Sequence, residues 1–235
     1  WAYFDWGWKA KLAAMNQTWG PGYYLDLLPK VVAELDPTRP YWPGSPYSGT
    51  MEIHPLDDHH GCKHIWDAWN DKDYTIYRKY TPRFVSEFGH QAPPTWGTLA
   101  RAIPADQRSS DSPSMLHHQK ARDGNMKLNA RLAEHFPAPG ELGFDDWHYL
   151  TQLNQARAIQ TGVEWFRSRS PVCMGTLYWQ INDCWPVTSW ACVDGDGRRK
   201  PLWYATRRFY PGRLLPIQPE PTGALVLHAV NETGA

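Results

Sequence analysis

The sequence has 235 residues, 42% of them hydrophobic, which is long enough for one globular domain with a large buried core. Its 24 basic and 24 acidic residues cancel, so no broad electric field exists to attract phosphate backbones or anionic lipid surfaces. We therefore expect neither nucleic acid nor membranes as partners, and no apolar run approaches the roughly 20 residues that a membrane helix needs.

The N-terminal part predicts one helix and one extended segment. The first methionine, Met15, falls within helix-like sequence, so we expect the chain to be a fragment of a longer protein. Apolar residues recur at helical spacing from Tyr24 to Leu35, and Pro37 and Pro40 then forbid continuation, which predicts an amphipathic helix with a sharp end. A short extended piece, Tyr41 to Tyr47, follows and is the first of four candidate strands.

The middle of the chain contains the clearest strand. A second candidate strand runs from Cys62 to Trp66, and Asp71 to Tyr80 is typical of a short helix. The stretch from Arg83 to Phe88 is a strand bounded by Pro82 and Gly89. A long polar segment then extends to about residue 142, with one helix-like portion between residues 115 and 132.

The C-terminal half continues the alternation of helices and strands. We expect Asp145 or Asp146 to cap a long helix, and residues 174 to 179 to form an apolar strand. The run from Asp194 to Gly197 lacks the ligand series of a calcium loop and predicts a turn. A last helix is expected over residues 202 to 210, and a strand of a following domain at residues 224 to 227. The long helix places these apolar residues on one face: Leu150, Leu153, Ala156, Ile159, Val163 and Phe166.

Apolar strands that alternate with amphipathic helices indicate a parallel sheet covered by helices. Four such units fit the second half of an eight-stranded βα barrel better than a doubly wound domain, because no glycine-rich turn follows a strand. In a βα barrel the active site lies at the C-terminal ends of the strands, so Glu87 at a strand end is the candidate catalytic carboxylate. From position alone, Glu87 could equally pair with Arg83 or another cation.

Two motifs resemble glycoside hydrolase family 2 β-mannosidases. The stretch from Pro82 to Gly89 is similar to the nucleophile strand of that family, and the stretch from Gly175 to Pro186 is similar to its eighth strand. The segments Gly44 to Gly49 and His64 to Trp66 resemble its fifth and sixth strand ends. The resemblance covers nearly all of the chain, and both motifs stand in the family's order.

The resemblance implies an α/β fold. Residues 1 to 212 would form the second half, about strands 5 to 8, of a TIM (β/α)8 barrel, and residues 213 to 235 would form a linker and the first strand of a β-sandwich domain. The implied activity is a retaining exo-glycosidase that removes terminal non-reducing β-D-mannose without a cofactor. Glu87 would be the nucleophile, and the acid/base glutamate would lie upstream of residue 1.

The resemblance also implies a sugar pocket. Trp179 would form one wall, His64 and Trp66 would line it from the sixth strand, and Tyr47 is a weaker candidate. The alternatives are that Trp179 fills the core and that His64 is a structural histidine. The polar stretch from Asp57 to His64 matches no standard metal spacing, so we expect a solvated loop and no metal.

Three alternatives stay open at this level. The sugar specificity could be that of another family 2 exo-glycosidase, a β-galactosidase or exo-β-glucosaminidase, or the chain could be a catalytically incompetent fragment that lacks its acid/base. The expected partners are a β-mannoside oligosaccharide or glycoside and the rest of the parent chain. Four cysteines without a pairing pattern favour reduced thiols and a cytoplasmic location.

Overall fold

The computed structural model describes residues 2 to 234. The strands are β1 (Lys63–Ile65), β2 (Val85–Phe88), β3 (Thr176–Tyr178), β4 (Arg213–Leu214), β5 (Ile217–Pro219), β6 (Leu225–Leu227) and β7 (Val230–Asn231). The first three form a parallel sheet in the order β1-β2-β3. The other four form two antiparallel pairs, β4 with β7 and β5 with β6.

The helices surround this sheet and fill the long connections. The α-helices are α1 (Ala2–Asp5), α2 (Trp8–Ala14), α3 (Leu28–Leu35), α4 (Asp67–Asn70), α5 (Trp96–Ala102), α6 (Pro113–His117), α7 (Gly124–Ala133), α8 (Phe144–Ser168) and α9 (Pro201–Phe209). A π-helix covers Tyr23–Leu27, and short 3-10 helices cover Tyr74–Lys79, Ala105–Gln107 and Pro139–Glu141. Within residues 2 to 234, no helix combines the length and the apolar character needed to cross a lipid bilayer.

The main core lies between the parallel sheet and α8. Val85 and Phe88 of β2 are fully buried against Ile159, Val163 and Phe166 of α8. Burial of each such side chain contributes about 1.5 to 3 kcal/mol, so this contact fixes the strand on the helix. The predicted apolar face of the long helix is therefore confirmed at its C-terminal half.

A register irregularity in β2 decides which side chains leave this core. The pairing of β2 with β3 shifts between Val85 and Phe88, and these two residues are both buried although they are three positions apart. A shift of this kind breaks the strict alternation of a strand. Ser86 and Glu87 both stay outside the core cluster as a result.

Helix α8 also carries buried polar side chains that hold the loops after β2 and β3. Nε2 of Gln155 donates to the carbonyl of His90 at 2.8 Å, and Nε2 of His148 lies 2.7 Å from the carbonyl of Pro94. The backbones of Ala92 and Ser189 pair with each other across the two loops. Because these loop groups would be unsatisfied without partners, the amide and imidazole side chains define where the loops run.

The C-terminal strands are tied to α8 by Arg167. Its guanidinium donates to the carbonyls of Phe209 and Pro211 at 2.6 and 2.8 Å and pairs with Glu232 at 2.9 Å. The arginine side chain is only 6% exposed. The tail therefore folds back on the helix that supports the sheet, although the domain boundary at residue 212 stays a prediction.

The prediction of a strand at residues 41 to 47 is wrong. Among the described residues this segment forms only an antiparallel bridge, from Tyr47 to Cys62, next to β1. Pro43 and Pro46 remove two backbone donors, so the segment cannot form a regular ladder. Within residues 2 to 234 the parallel sheet consequently has three strands and not four.

Two helix predictions need correction. The helix expected over residues 115 to 132 is divided into α6 and α7, because the backbone of Lys120 leaves the helix to pair with Thr188 and Asp123 has a positive φ of 56°. Helix α8 begins after Gly143, and no side chain caps it; Asp145 and Asp146 lie in its first turn, where they complement the helix dipole.

The remaining element predictions are confirmed. The N-terminal helix is present as the π-helix and α3, and the segment from residue 71 to 80 contains the 3-10 helix that Asp73 caps. Residues 194 to 197 form a turn, with the amide of Gly197 on the carbonyl of Asp194 at 2.9 Å. The last helix is α9, and the expected tail strand is β6.

Candidate active site

Glu87 lies near the C-terminal end of β2, the central strand of the parallel sheet. Its side chain is 28% exposed, and Nε1 of Trp66 donates to Oε1 at 2.7 Å. A donor at this distance fixes one carboxylate oxygen and leaves the carboxylate partly open to solvent. Arg83, which the sequence offered as a partner for Glu87, lies four residues earlier in the chain. Its amide donates to the carbonyl of Asp58, and its carbonyl accepts from the amide of Met174.

His64 approaches the same carboxylate from β1. The two residues are register partners, and Nδ1 of His64 lies 3.7 Å from Oε2 of Glu87. On the other side of the ring, Nε2 lies 2.9 Å from Oγ of Ser45. Burial lowers the pKa of His64, and the negative charge of Glu87 opposes this shift, so the ring is neutral at neutral pH.

Trp179 follows β3, the strand next to β2, and its side chain is 44% exposed. Its amide donates to the carbonyl of Phe88 at 2.7 Å, which continues the sheet beyond Glu87. Gly89 makes this approach possible: a Cβ at this position would lie 2.5 Å from the carbonyl oxygen of Trp179 and 3.0 Å from the rings of Trp66 and Trp190. The backbone of Trp179 thus follows the strand next to Glu87, and an exposed indole is a group that can pack against the C–H face of a sugar ring.

Of the four predicted pocket residues, His64 and Trp66 therefore approach the carboxylate of Glu87, Trp179 follows the neighbouring strand, and Tyr47 lies elsewhere. The ring of Tyr47 packs edge-on against Trp42 at 5.4 Å. It lines a separate cavity of about 270 Å³ together with Phe4 and Trp19. In the part of the chain that the structure describes, Tyr47 thus lines this separate cavity and is not placed against the carboxylate of Glu87.

Metal ligands come together elsewhere. The described residues bring Asp73, Glu134 and His135 within reach of one ion, but Asp73 already accepts from His135 at 2.7 Å and Glu134 pairs with Arg131. In the polar loop considered above, Asp57 accepts from His60 at 2.6 Å, and Asp58 pairs with Lys63. These contacts account for both groups as ion pairs and hydrogen bonds within the protein.

Sequence reasoning missed the hydroxyl groups and Trp190. Ser45 and Ser86 connect His64 to the backbone of β1, and Trp190 packs edge-on against Trp66 at 5.7 Å. Ser86 precedes Glu87 directly, but strict alternation would have placed it on the opposite face of the strand. Only the register irregularity in β2 brings it to the site, and a single sequence carries no signal for that.

No family model matches the chain. It is 35% identical to a curated β-mannosidase of Mus musculus over 231 residues, which cover 89% of this chain. The chain is related to the β-mannosidases. It spans about a quarter, 26%, of the length of that relative. A solved β-D-mannosidase from Dictyoglomus thermophilum superposes with a TM-score of 0.85 and 37% identity, over 92% of this chain and 26% of that one.

A more distant solved structure shares the fold alone. An exo-chitosanase from Amycolatopsis orientalis, crystallised with a β-D-glucosamine compound, superposes with a TM-score of 0.52 over 70% of this chain and 20% of that one. Its sequence identity is only 19%. Since the β-mannosidases are more similar in both sequence and structure, the exo-β-glucosaminidase alternative is not favoured.

Proposed function

We propose that this chain is the part of a retaining exo-β-mannosidase that carries the nucleophile, Glu87. The observation that supports this is the carboxylate near the C-terminal end of the central parallel strand, with one oxygen held by Trp66 and the other 3.7 Å from His64. The relatives of the chain are named β-mannosidases, which favours terminal non-reducing β-D-mannose as the sugar removed.

The proposed reaction has two steps. A carboxylate oxygen of Glu87 attacks the anomeric carbon, the bond to the leaving oxygen breaks, and a second carboxyl group protonates that oxygen. Water then releases mannose with retention of configuration. The second carboxyl group must lie about 5 to 5.5 Å from the first, and we assign it to the longer protein, upstream of residue 1.

The proposed architecture follows from the same reasoning. We assign β1, β2 and β3 to strands six to eight of a (β/α)8 barrel, and the antiparallel pairs after residue 212 to the start of a β-sandwich. The parallel order, with α8 packed on one face of the sheet, supports the first assignment. A cytoplasmic location stays a prediction, which fractionation of the source cells would test.

The test is to trap the intermediate on the intact enzyme with a 2-deoxy-2-fluoro-β-mannosyl fluoride and to map the labelled peptide. We expect the label on Glu87, because a fluorosugar slows release of the covalent intermediate more than its formation. The substitution Glu87→Ala should lower kcat/KM roughly 10³-fold or more, and azide should restore turnover by replacing the lost nucleophile. Glu52→Gln, at an exposed glutamate, serves as the matched control and should be silent.

The outcomes separate the parts of the proposal. A label on another residue of an enzyme that hydrolyses mannosides would contradict the assignment of Glu87. Reaction with a fluorogalactoside or fluoroglucosaminide alone would contradict the sugar. The anomer released first can be observed by NMR. If that anomer is α-mannose, the proposed retention of configuration is contradicted.

A further inference from the structure

The ring of His64 is placed to act on the carboxylate of Glu87. The two side chains face each other across the parallel pair β1 and β2, with Nδ1 and Oε2 3.7 Å apart. The side chain of His64 is 9% exposed, against 28% for Glu87. A sugar in the open part of the site would meet the carboxylate before it met this ring.

Two serine hydroxyls in series hold the other side of the ring. Oγ of Ser45 lies 2.9 Å from Nε2 of His64 and donates to Oγ of Ser86 at 2.8 Å. Ser86 in turn donates to the carbonyl of Lys63 at 3.3 Å. A carbonyl oxygen can only accept, and each hydroxyl has one proton to donate. Ser45 therefore has no proton left for His64, and Nε2 must be the donor in that contact.

A proton on Nε2 means that the neutral ring turns the lone pair of Nδ1 toward Glu87. Building on the proposed function, we propose that His64 is a positioning residue that acts through Glu87, and that the two groups share one titrating proton under the control of Ser45. Uptake of this proton from solvent converts imidazole and carboxylate into imidazolium with carboxylate, or into imidazole with carboxylic acid. In the first form the proton lies on Nδ1, and the imidazolium faces Oε2 as a cation; in the second form the proton lies on Oε2 itself. Both forms lower the nucleophilicity of Oε2.

Two charged side chains that neighbour His64 along the chain have partners of their own. Lys63, the preceding residue of the strand, pairs with Asp58, and Asp67 of α4 accepts from the hydroxyl of Tyr80. Glu87 is an ionised group that faces the ring, with Oε2 3.7 Å from Nδ1. Burial lowers the pKa of His64, so the pair is free of this proton at neutral pH and takes it up in acid.

The test measures the acidic limb of kcat/KM against pH in the intact enzyme, with an aryl β-mannoside as substrate. We expect His64→Gln to move the limb to lower pH by about half a unit or more, because one site for the proton is lost. Ser45→Ala should move it the same way, because the ring can then carry its proton on Nδ1 and donate to Glu87. Trp66→Phe should move it to higher pH, because a donor to the carboxylate is lost.

Two further variants control for folding and for local packing. Ser45→Thr keeps a hydroxyl and should keep the wild-type limb. Ser48→Ala removes a buried hydroxyl from the same loop, whose oxygen lies 2.9 and 2.8 Å from the carbonyl oxygens of Thr50 and Ile53, and should also leave the limb in place.

The results distinguish failure of the inference about His64 and Ser45 from failure of the proposed function. If wild-type enzyme is labelled at Glu87 but His64→Gln raises KM without moving the limb, His64 is a sugar contact and the inference is overturned. A Ser45→Ala variant with an unmoved limb also overturns it. If wild-type enzyme neither hydrolyses mannosides nor is labelled at Glu87, the proposed function has failed independently of the relay.

Discussion

Gly89 shows how a residue without a side chain shapes the site. The backbone of Trp179 and the rings of Trp66 and Trp190 converge on the place where its Cβ would be, at 2.5 to 3.0 Å. One of these neighbours is the backbone carbonyl of Trp179. This carbonyl cannot move aside unless the end of β3 moves with it. Close approach, rather than a special backbone angle, is the reason for glycine here.

We expect Gly89→Ala to lower both stability and turnover. The overpacking should cost about 1 to 3 kcal/mol of unfolding free energy and displace the ring of Trp66, which donates to Glu87. Urea denaturation and kcat/KM for an aryl β-mannoside measure the two effects. Gly97→Ala is the matched control, because that glycine lies in α5 with its nearest neighbour atom at 3.5 Å, and helical alanine should be neutral or stabilising. Equal behaviour of the two variants would contradict the steric account.

His90, in the loop after β2, predicts a loss of stability in acid. Burial lowers its pKa from 6.5 to about 4. A group whose pKa is depressed in the folded state contributes stability above pH 6.5 that is lost as the pH falls through 4. The full shift corresponds to about 3 kcal/mol. His90→Phe, which keeps a ring against Trp69, should flatten the fall in unfolding free energy between these pH values, whereas His59→Gln at an exposed position should run parallel to wild type. Parallel curves for His90→Phe would contradict the prediction.

At the scale of elements, α8 serves both the core and the loops. Its apolar face packs on β2, while Gln155 reaches the carbonyl of His90 at 2.8 Å and approaches those of Ser189 and Ala191 at 3.5 Å. A loop held from beneath by buried side chains keeps the residues above it in place. Glu87 is two residues before the first loop, so the helix orients the site without touching it.

Substitution Gln155→Leu should loosen both loops. Removal of the buried donor leaves carbonyls unsatisfied, at a cost of about 1 to 3 kcal/mol. The amides of Ala92 and Ser189, which bond each other's carbonyls at 2.9 and 3.2 Å, should then exchange with deuterium faster than in wild type. Gln160→Leu is the control, since Gln160 donates to the side chain of Glu164 one turn along the same helix. An unchanged exchange rate of these amides in Gln155→Leu would show that the two loops keep their structure without the side chain of Gln155.

Most elements were predictable, and the exceptions have physical causes. The periodicity of residues 150 to 166 identified α8, and the apolar run before Glu87 identified β2, because burial of one face leaves a pattern in sequence. The false strand at residues 41 to 47 came from extended, proline-rich chain that lacks the donors of a ladder. The hydroxyl relay could not be predicted, since Ser45 and Ser86 meet only through the fold.

At the scale of the whole molecule, the N-terminal helices leave apolar surface open. Helix α3 has no buried residue, and large apolar side chains of the π-helix and α3 are exposed among the described residues, namely Tyr23, Tyr24, Leu25, Leu27, Leu28, Val31 and Leu35. Apolar patches of this kind mark surfaces that another part of a protein covers. The relatives are about four times as long as this chain, which is consistent with such cover.

We expect the 235-residue chain alone to associate and to lack useful turnover. Sedimentation velocity should show concentration-dependent species, and the double substitution Leu28→Lys with Leu35→Lys should reduce them by charging the exposed face. Met126→Lys, at a 67% exposed apolar position in α7, is the control for added charge. A monomeric chain that hydrolyses mannosides would contradict both this prediction and the assignment of the acid/base to the longer protein.

The contacts of Arg167 with the C-terminal segment determine where this polypeptide can be truncated. The guanidinium lies 6% exposed between the end of α9 and Glu232, so the charge that balances it comes from beyond residue 212. A truncation at that residue would leave a desolvated cation without its carboxylate. The residues on both sides of the predicted domain boundary are therefore best kept together. A chain truncated at residue 212 would also need Arg167 replaced by an uncharged residue.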